Sequence, residues 1–180
     1  MRLVKQLKII GKNKESERVM SSYITIDGWR ANIRFSSAHI IHEYDKCGRL
    51  HGHTYAIHTK IFGEPDEKGI IIDFSLLKNA LRDITSKLDH VILIPEKSNI
   101  VKIEKQKESV KISALGKTFI FPKSDCVFLP IKSTSAENLA IYILESLLVK
   151  IKFSSEIESV EIGVDEGYGQ GACVSRNLHN

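Results

Sequence analysis

The densest chemical feature of the chain lies in AHIIHEYDKCGRLHGHTY, which brings together His39, Cys47, His51 and His53. On a strand, residues two apart project from one face, so His51 and His53 point the same way. A third imidazole from a neighbouring strand end completes a three-nitrogen zinc site. Three protein ligands leave a fourth position open, which is how catalytic rather than structural zinc is usually held. Gly52, between the pair, lets backbone or substrate approach closely. His42 and His58 are the expected non-ligands, and His58 has the opposite parity and faces away. The plain alternative is a set of ordinary sheet and loop histidines. A third His and a Cys in the same short stretch weigh against it.

Cys47 admits three readings: a fourth zinc ligand closing a structural site, a thiolate base beside the metal, or a small loop hydrophobe. Asp89-His90 ends a predicted helix. A histidine in a last turn is favoured by the helix dipole, so the pair reads as a plain helix end or as a catalytic couple. Glu166, in VDEG, is a solvated turn residue unless it is buried. If buried, its carboxylate can grip a guanidine-like edge by two parallel hydrogen bonds. Its neighbour Asp165 falls on the opposite face.

The elements that must position these groups follow from periodicity. Ile24, Ile26, Ile33 and Phe35 punctuate a β-rich stretch broken at Asp27-Gly28, and a strand is expected from His51 to Gly63. Ile70-Ile71-Ile72 reads as a short buried strand. Asp73 or Ser75 caps a helix running to about Leu88, with Leu77, Ala80, Leu81, Ile84 and Leu88 at helical spacing. Residues 99–130 form an inserted β segment. Thr134-Ser135-Ala136-Glu137 is a capping-box pattern opening a second helix that buries Ala140, Ile143, Leu144, Leu147 and Leu148. IESVEIGVDEG and GACVSR close the chain as a strand pair. This order predicts an α+β domain with an antiparallel sheet and two helices on one face.

The 180 residues suffice for one domain with a real core, and the 42% hydrophobic and 27% charged content is globular. The apolar runs are far below the roughly 20 residues that cross a bilayer. A net charge of +4 is too weak to argue for nucleic acid but suits a small anionic ligand. Three widely spaced cysteines without a Cys-x-x-Cys pair point to a reducing cytoplasm. The basic, partly apolar N-terminus lacks the marks of a secretory signal, and residues 1–22 read as an extension of the domain at 23–180.

Taken in order, FSSAH, CGRLHGHTY, GIIIDFSLLK, LDH, TSAENLA and VDEG resemble the 6-pyruvoyltetrahydropterin synthase / 6-carboxytetrahydropterin synthase family over about residues 23–95 and 131–175. The resemblance implies a tunnelling fold, whose subunits associate into a β-barrel, commonly as hexamers with active sites between subunits. It implies that His39, His51 and His53 bind zinc, that Cys47 abstracts a proton, and that Asp89 and His90 form a relay. It further implies that Glu166 anchors the amino-pyrimidine edge of a pterin, with Ser135 and Glu137 as further substrate contacts. Gly48-Arg49-Leu50 alone separates Cys47 from the histidine pair, as in the carboxy branch, which serves 7-deazaguanine (queuosine and archaeosine) synthesis; Asp73 in IIDF looks like that branch too. A third branch carries Glu just before the histidine pair, where this chain has Leu50. The insertion is more like archaeal relatives, and Ala136 stands where many members carry a hydroxyl.

The implied activity is a cytoplasmic zinc-dependent lyase acting on 7,8-dihydroneopterin triphosphate, with no nucleic-acid or membrane partner. The sister pyruvoyl reaction and a noncatalytic zinc- or pterin-binding protein are the alternatives.

Overall fold

A computed structural model describes residues 22–41, 46–114 and 116–179. The chain runs β1 (Tyr23–Ile26), β2 (Arg34–His39), β3 (His51–Gly63), α1 (Phe74–Thr85), β4 (Val91–Pro95), β5 (Lys102–Lys105), β6 (Ser109–Ala114), β7 (Lys117–Pro122), β8 (Cys126–Leu129), α2 (Ala136–Lys150), β9 (Ile157–Glu166) and β10 (Gly171–Asn177). The fold is α+β. The main sheet has the order β10-β9-β3-β2-β4-β8, with β1 also paired to β3.

Strand β3 is the spine. It pairs antiparallel with β9 along one edge and with β2 and then β1 along the other. The excursion between β1 and β2 stays docked, because Ile57 N–H donates to Ile33 O at 3.0 Å. Gly28 belongs to that turn, where a Cβ would sit 2.3 Å from Ile57 O.

The alternation in β3 sorts the sheet into two faces. Tyr55, Ile57 and Ile61, with Val160, Ile162 and Val164 from β9, face the helices and join one core. That core takes Leu77, Leu81 and Ile84 from α1, and Leu139, Ile143, Leu144 and Leu147 from α2. Asp73 caps α1, its carboxylate accepting Ser75 N–H at 2.6 Å.

Four expectations are corrected. The sheet is mixed rather than wholly antiparallel, since β4 runs parallel to β2 and β8 parallel to β4. A parallel neighbour needs a long crossover, which β3 and α1 supply between β2 and β4 and the inserted residues supply between β4 and β8. That segment divides: β5, β6 and β7 form a separate antiparallel sheet, while β8 joins the main one. Ile70–Ile72 is not a strand. The Asp66 carboxylate accepts the N–H groups of Lys68 and Ile70, and this side-chain-closed turn leaves Ile70 half exposed. Finally, Ser135 rather than Thr134 is the N-cap of α2, and its side chain makes no capping hydrogen bond, so the expected capping box does not form.

Candidate active site

The β2–β3 register sets His39 directly opposite His51, and Ser37 opposite His53. Cross-strand partners share a face, so all three imidazoles project toward the helix side. Their ligand nitrogens lie within 4.8 Å of one another. Gly52 makes the pairing possible, because a Cβ there would lie 2.9 Å from Ser37 O.

Tautomers follow from the outer contacts. His39 Nδ1–H donates to Thr134 O at 2.9 Å, and His51 Nδ1–H donates to Arg49 O at 2.8 Å. A carbonyl only accepts, so in the neutral rings that bind a metal both Nε2 atoms carry the lone pairs. Those two Nε2 atoms face each other at 3.1 Å. Lone pairs so placed call for a cation between them. The spacing is close to the edge of a tetrahedron built on metal–nitrogen bonds of about 2.05 Å, roughly 3.3 Å. Burial pushes His39 down to about 4 and also lowers His53, favouring the neutral imidazole that a metal requires. The donor set therefore fits a divalent metal with carbonyl-oriented ligands. Among the described residues Cys47 stands outside this cluster, which leaves a coordination position open.

Cys47 lines a cavity of about 710 Å³ together with Lys132, Ser135, Glu137, Gln170 and Glu166. Glu166 pairs with Tyr55 across β9 and β3 and so shares the histidine face. Its Oε1 is buried with no hydrogen-bond partner among the described residues. Burial raises its carboxyl, His51 opposes that, and Glu137 adds to it. Tyr55, fully buried, places its hydroxyl 3.1 Å from His39 Nδ1. Ser135 lowers the Glu137 carboxyl by hydrogen bonding, and Asn138 donates to Ser135 Oγ at 3.1 Å.

Asp165 points the other way. It accepts Trp29 Nε1–H at 2.8 Å and lies 3.0 Å from His58 Nε2. His58 is thus on the uncovered sheet face, and His42 lies outside the described residues.

Asp89 and His90 follow α1, separated from it by a short turn. Asp89 accepts Ser36 N–H at 2.7 Å and meets His90 Nδ1 at 2.8 Å; these two contacts, the backbone bond first, hold its carboxyl below the ordinary range. His90 adopts a left-handed φ of 57°, with its backbone tied to Ser36 O, and its side chain is 83% exposed. It lines a second cavity of about 560 Å³, with His53 and Thr54. Within one chain His90 and Cys47 therefore border different cavities.

Sequence reasoning missed Lys132, Gln170 and the carbonyl of Thr134. Lys132 adjoins the TSAEN motif but has no periodic signal, and a backbone acceptor has none at all.

The 6-pyruvoyl tetrahydropterin synthase family model matches residues 29–176. A putative 6-carboxy-5,6,7,8-tetrahydropterin synthase from Methanocaldococcus jannaschii is 34% identical over 158 residues, covering 86% of this chain and 97% of the relative. The 6-carboxy-5,6,7,8-tetrahydropterin synthase of Haemophilus influenzae is 30% identical over 119 residues, 63% of this chain and 76% of its own length. Among solved structures, Plasmodium vivax 6-pyruvoyltetrahydropterin synthase superposes with a TM-score of 0.81 at 32% identity, over 88% of this chain and 99% of that one. With its sequence and its fold both matched across most of its length, the chain belongs to the 6-pyruvoyl tetrahydropterin synthase family and is a lyase of that kind.

Proposed function

We propose that the protein converts 7,8-dihydroneopterin triphosphate and one water to 6-carboxy-5,6,7,8-tetrahydropterin, acetaldehyde and triphosphate, a step toward 7-deazaguanine nucleosides, in the cytoplasm. The carrying observation is a buried Glu166 carboxylate oxygen that has no partner among the described residues, in a cavity it shares with Cys47 and on the sheet face that carries the three converging imidazoles. An unpaired buried acceptor is costly, and a ligand with adjacent N–H donors removes that cost. The pterin amino-pyrimidine edge is such a ligand. The names of the Methanocaldococcus and Haemophilus relatives support the carboxy product.

His39, His51 and His53 would hold zinc. When bound, zinc supplies Lewis-acid polarisation of the substrate's side-chain oxygens. Glu166 fixes the ring, so that the side chain extends over the histidines. Cys47 takes the proton from the side-chain carbon. Lys132, a cation at the cavity edge, meets the triphosphate. Asp89 orients His90 to return a proton. Since His90 and Cys47 of one chain border separate cavities, a homo-oligomer, a hexamer by the family resemblance, would bring a second copy's pair to each cysteine.

The sister reaction, which loses triphosphate and keeps the side chain, is the second reading, and the Plasmodium relative carries that name. Incubating the zinc-loaded protein with dihydroneopterin triphosphate and weighing the products separates them. The mass of 6-carboxytetrahydropterin with stoichiometric acetaldehyde is expected. A 6-pyruvoyl product, or unconsumed substrate, would reject the proposal.

A further inference from the structure

Among the described residues, the inserted sheet makes a side-chain hydrogen bond to the cysteine loop. Lys117, the first residue of β7, donates from Nζ to Gly48 O at 2.9 Å, across 69 positions of sequence. Gly48 directly follows Cys47, and its carbonyl is one of three consecutive acceptors held by three different elements. Cys47 O accepts Ile41 N–H at 2.8 Å, just past the end of β2. Gly48 O takes Lys117, from the insertion. Arg49 O takes His51 Nδ1–H, from a candidate metal ligand on β3. The loop itself contributes a turn bond from Arg49 N–H to Lys46 O at 3.1 Å.

The platform behind Lys117 is firm. Val110, Ile112 and Ala114 of β6 are buried in one apolar cluster with Ile94 of β4, and Phe119, Phe121 and Phe128 pack against it. Strand β4 in turn pairs with β2, whose last residue is His39. The inserted sheet is thus locked to the strand that borders the triad, and it reaches over to the loop carrying the thiol. A cationic donor on a neutral carbonyl is a stronger restraint than a neutral one. A glycine carbonyl needs that restraint most, because the residue has the widest backbone freedom.

We infer that Lys117 is a positioning residue for Cys47, and that the inserted sheet serves to fix the cysteine loop against the histidine strand. The inference rests on the proposed role of Cys47 only for its effect on turnover. The restraint itself can be read without substrate, so the two ideas fail separately.

Hydrogen exchange of the zinc-loaded protein, followed by mass spectrometry, is the test. In Lys117→Met, which keeps the aliphatic stem, the peptide spanning residues 46–50 is expected to exchange at least about tenfold faster, while β6 and the histidine strand are unchanged. Turnover should fall about tenfold in kcat with KM little altered, and Lys117→Arg, which still donates, should recover most of both. Thr118→Ala, which perturbs the same hairpin without reaching Gly48, controls for general loosening and should exchange as wild type at 46–50. Faster exchange with no activity in any form leaves the positioning role standing and sinks the proposed reaction. Unchanged exchange at 46–50 in Lys117→Met, or equal acceleration in Thr118→Ala, would overturn the positioning role.

Discussion

Asp165 and Glu166 are adjacent carboxylates at the end of one strand, and they have opposite surroundings. Asp165 lies on the uncovered face and is satisfied within the protein, by the Trp29 indole N–H and by His58. Glu166 lies on the helix face, which the histidine triad shares; it lines one cavity with Cys47, and among the described residues its buried oxygen has no partner. A one-residue step along a pleated strand separates the two environments. The contrast distinguishes a carboxylate satisfied within the fold from one that, on the proposal above, receives a ligand, and burial alone would not have separated them.

The largest expected effect falls on the helix face. His51→Ala or His53→Ala should lose nearly all bound zinc, from about one per chain, and with it all turnover, while His58→Ala on the Asp165 side keeps its metal. Elemental analysis decides this, and full zinc in both ligand variants would dissolve the distinction between the faces. Next in size, Cys47→Ala should retain zinc and fold but lose roughly 10²–10⁴-fold in kcat, the usual scale of a missing general base. Loss of zinc along with the thiol would instead make Cys47 a ligand. Lys132→Ala should raise KM for the triphosphate substrate about three- to tenfold, a modest figure because exposed charges are screened, with affinity for a phosphate-free pterin unchanged.

The smallest effect is on stability and runs the other way around. Asp165→Asn breaks charge-assisted bonds and should cost about 1 kcal/mol, a few degrees of melting temperature. Glu166→Gln in the ligand-free protein should melt at or slightly above wild type, because it removes a buried charge that His51 offsets only in part.

Much of this arrangement was legible beforehand. The two-residue period placed His51, His53 and Tyr55 on one face and His58 on the other, and the helical spacing of Leu77, Leu81 and Ile84 marked the face that covers them. What could not be read was pairing. The register that sets His39 opposite His51, and Tyr55 opposite Glu166, depends on contacts distant in sequence. The parallel docking of β8 likewise depends on a crossover whose own folding is nonlocal. Ile70–Ile72 misled because hydrophobicity was weighed against no knowledge of the Asp66 turn. The resemblance joined Cys47 and Asp89–His90 in one mechanism, whereas a single chain sets them on two cavities.

The account stands most directly on Glu166 as the ligand's anchor. Calorimetric titration of 6-carboxytetrahydropterin into zinc-loaded wild type, Glu166→Gln and Asp165→Asn measures it. A charge-assisted pair contributes about 1.5–3 kcal/mol, roughly ten- to a hundredfold in affinity. Glu166→Gln should therefore bind at least about tenfold more weakly, and Asp165→Asn nearly as wild type. Wild-type affinity should also fall on acidification, beginning above the ordinary carboxylate range, because burial raises the Glu166 carboxyl and protonation removes the acceptor charge. Equal affinity in all three proteins would contradict the account and leave Glu166 an unpaired carboxylate with no ligand.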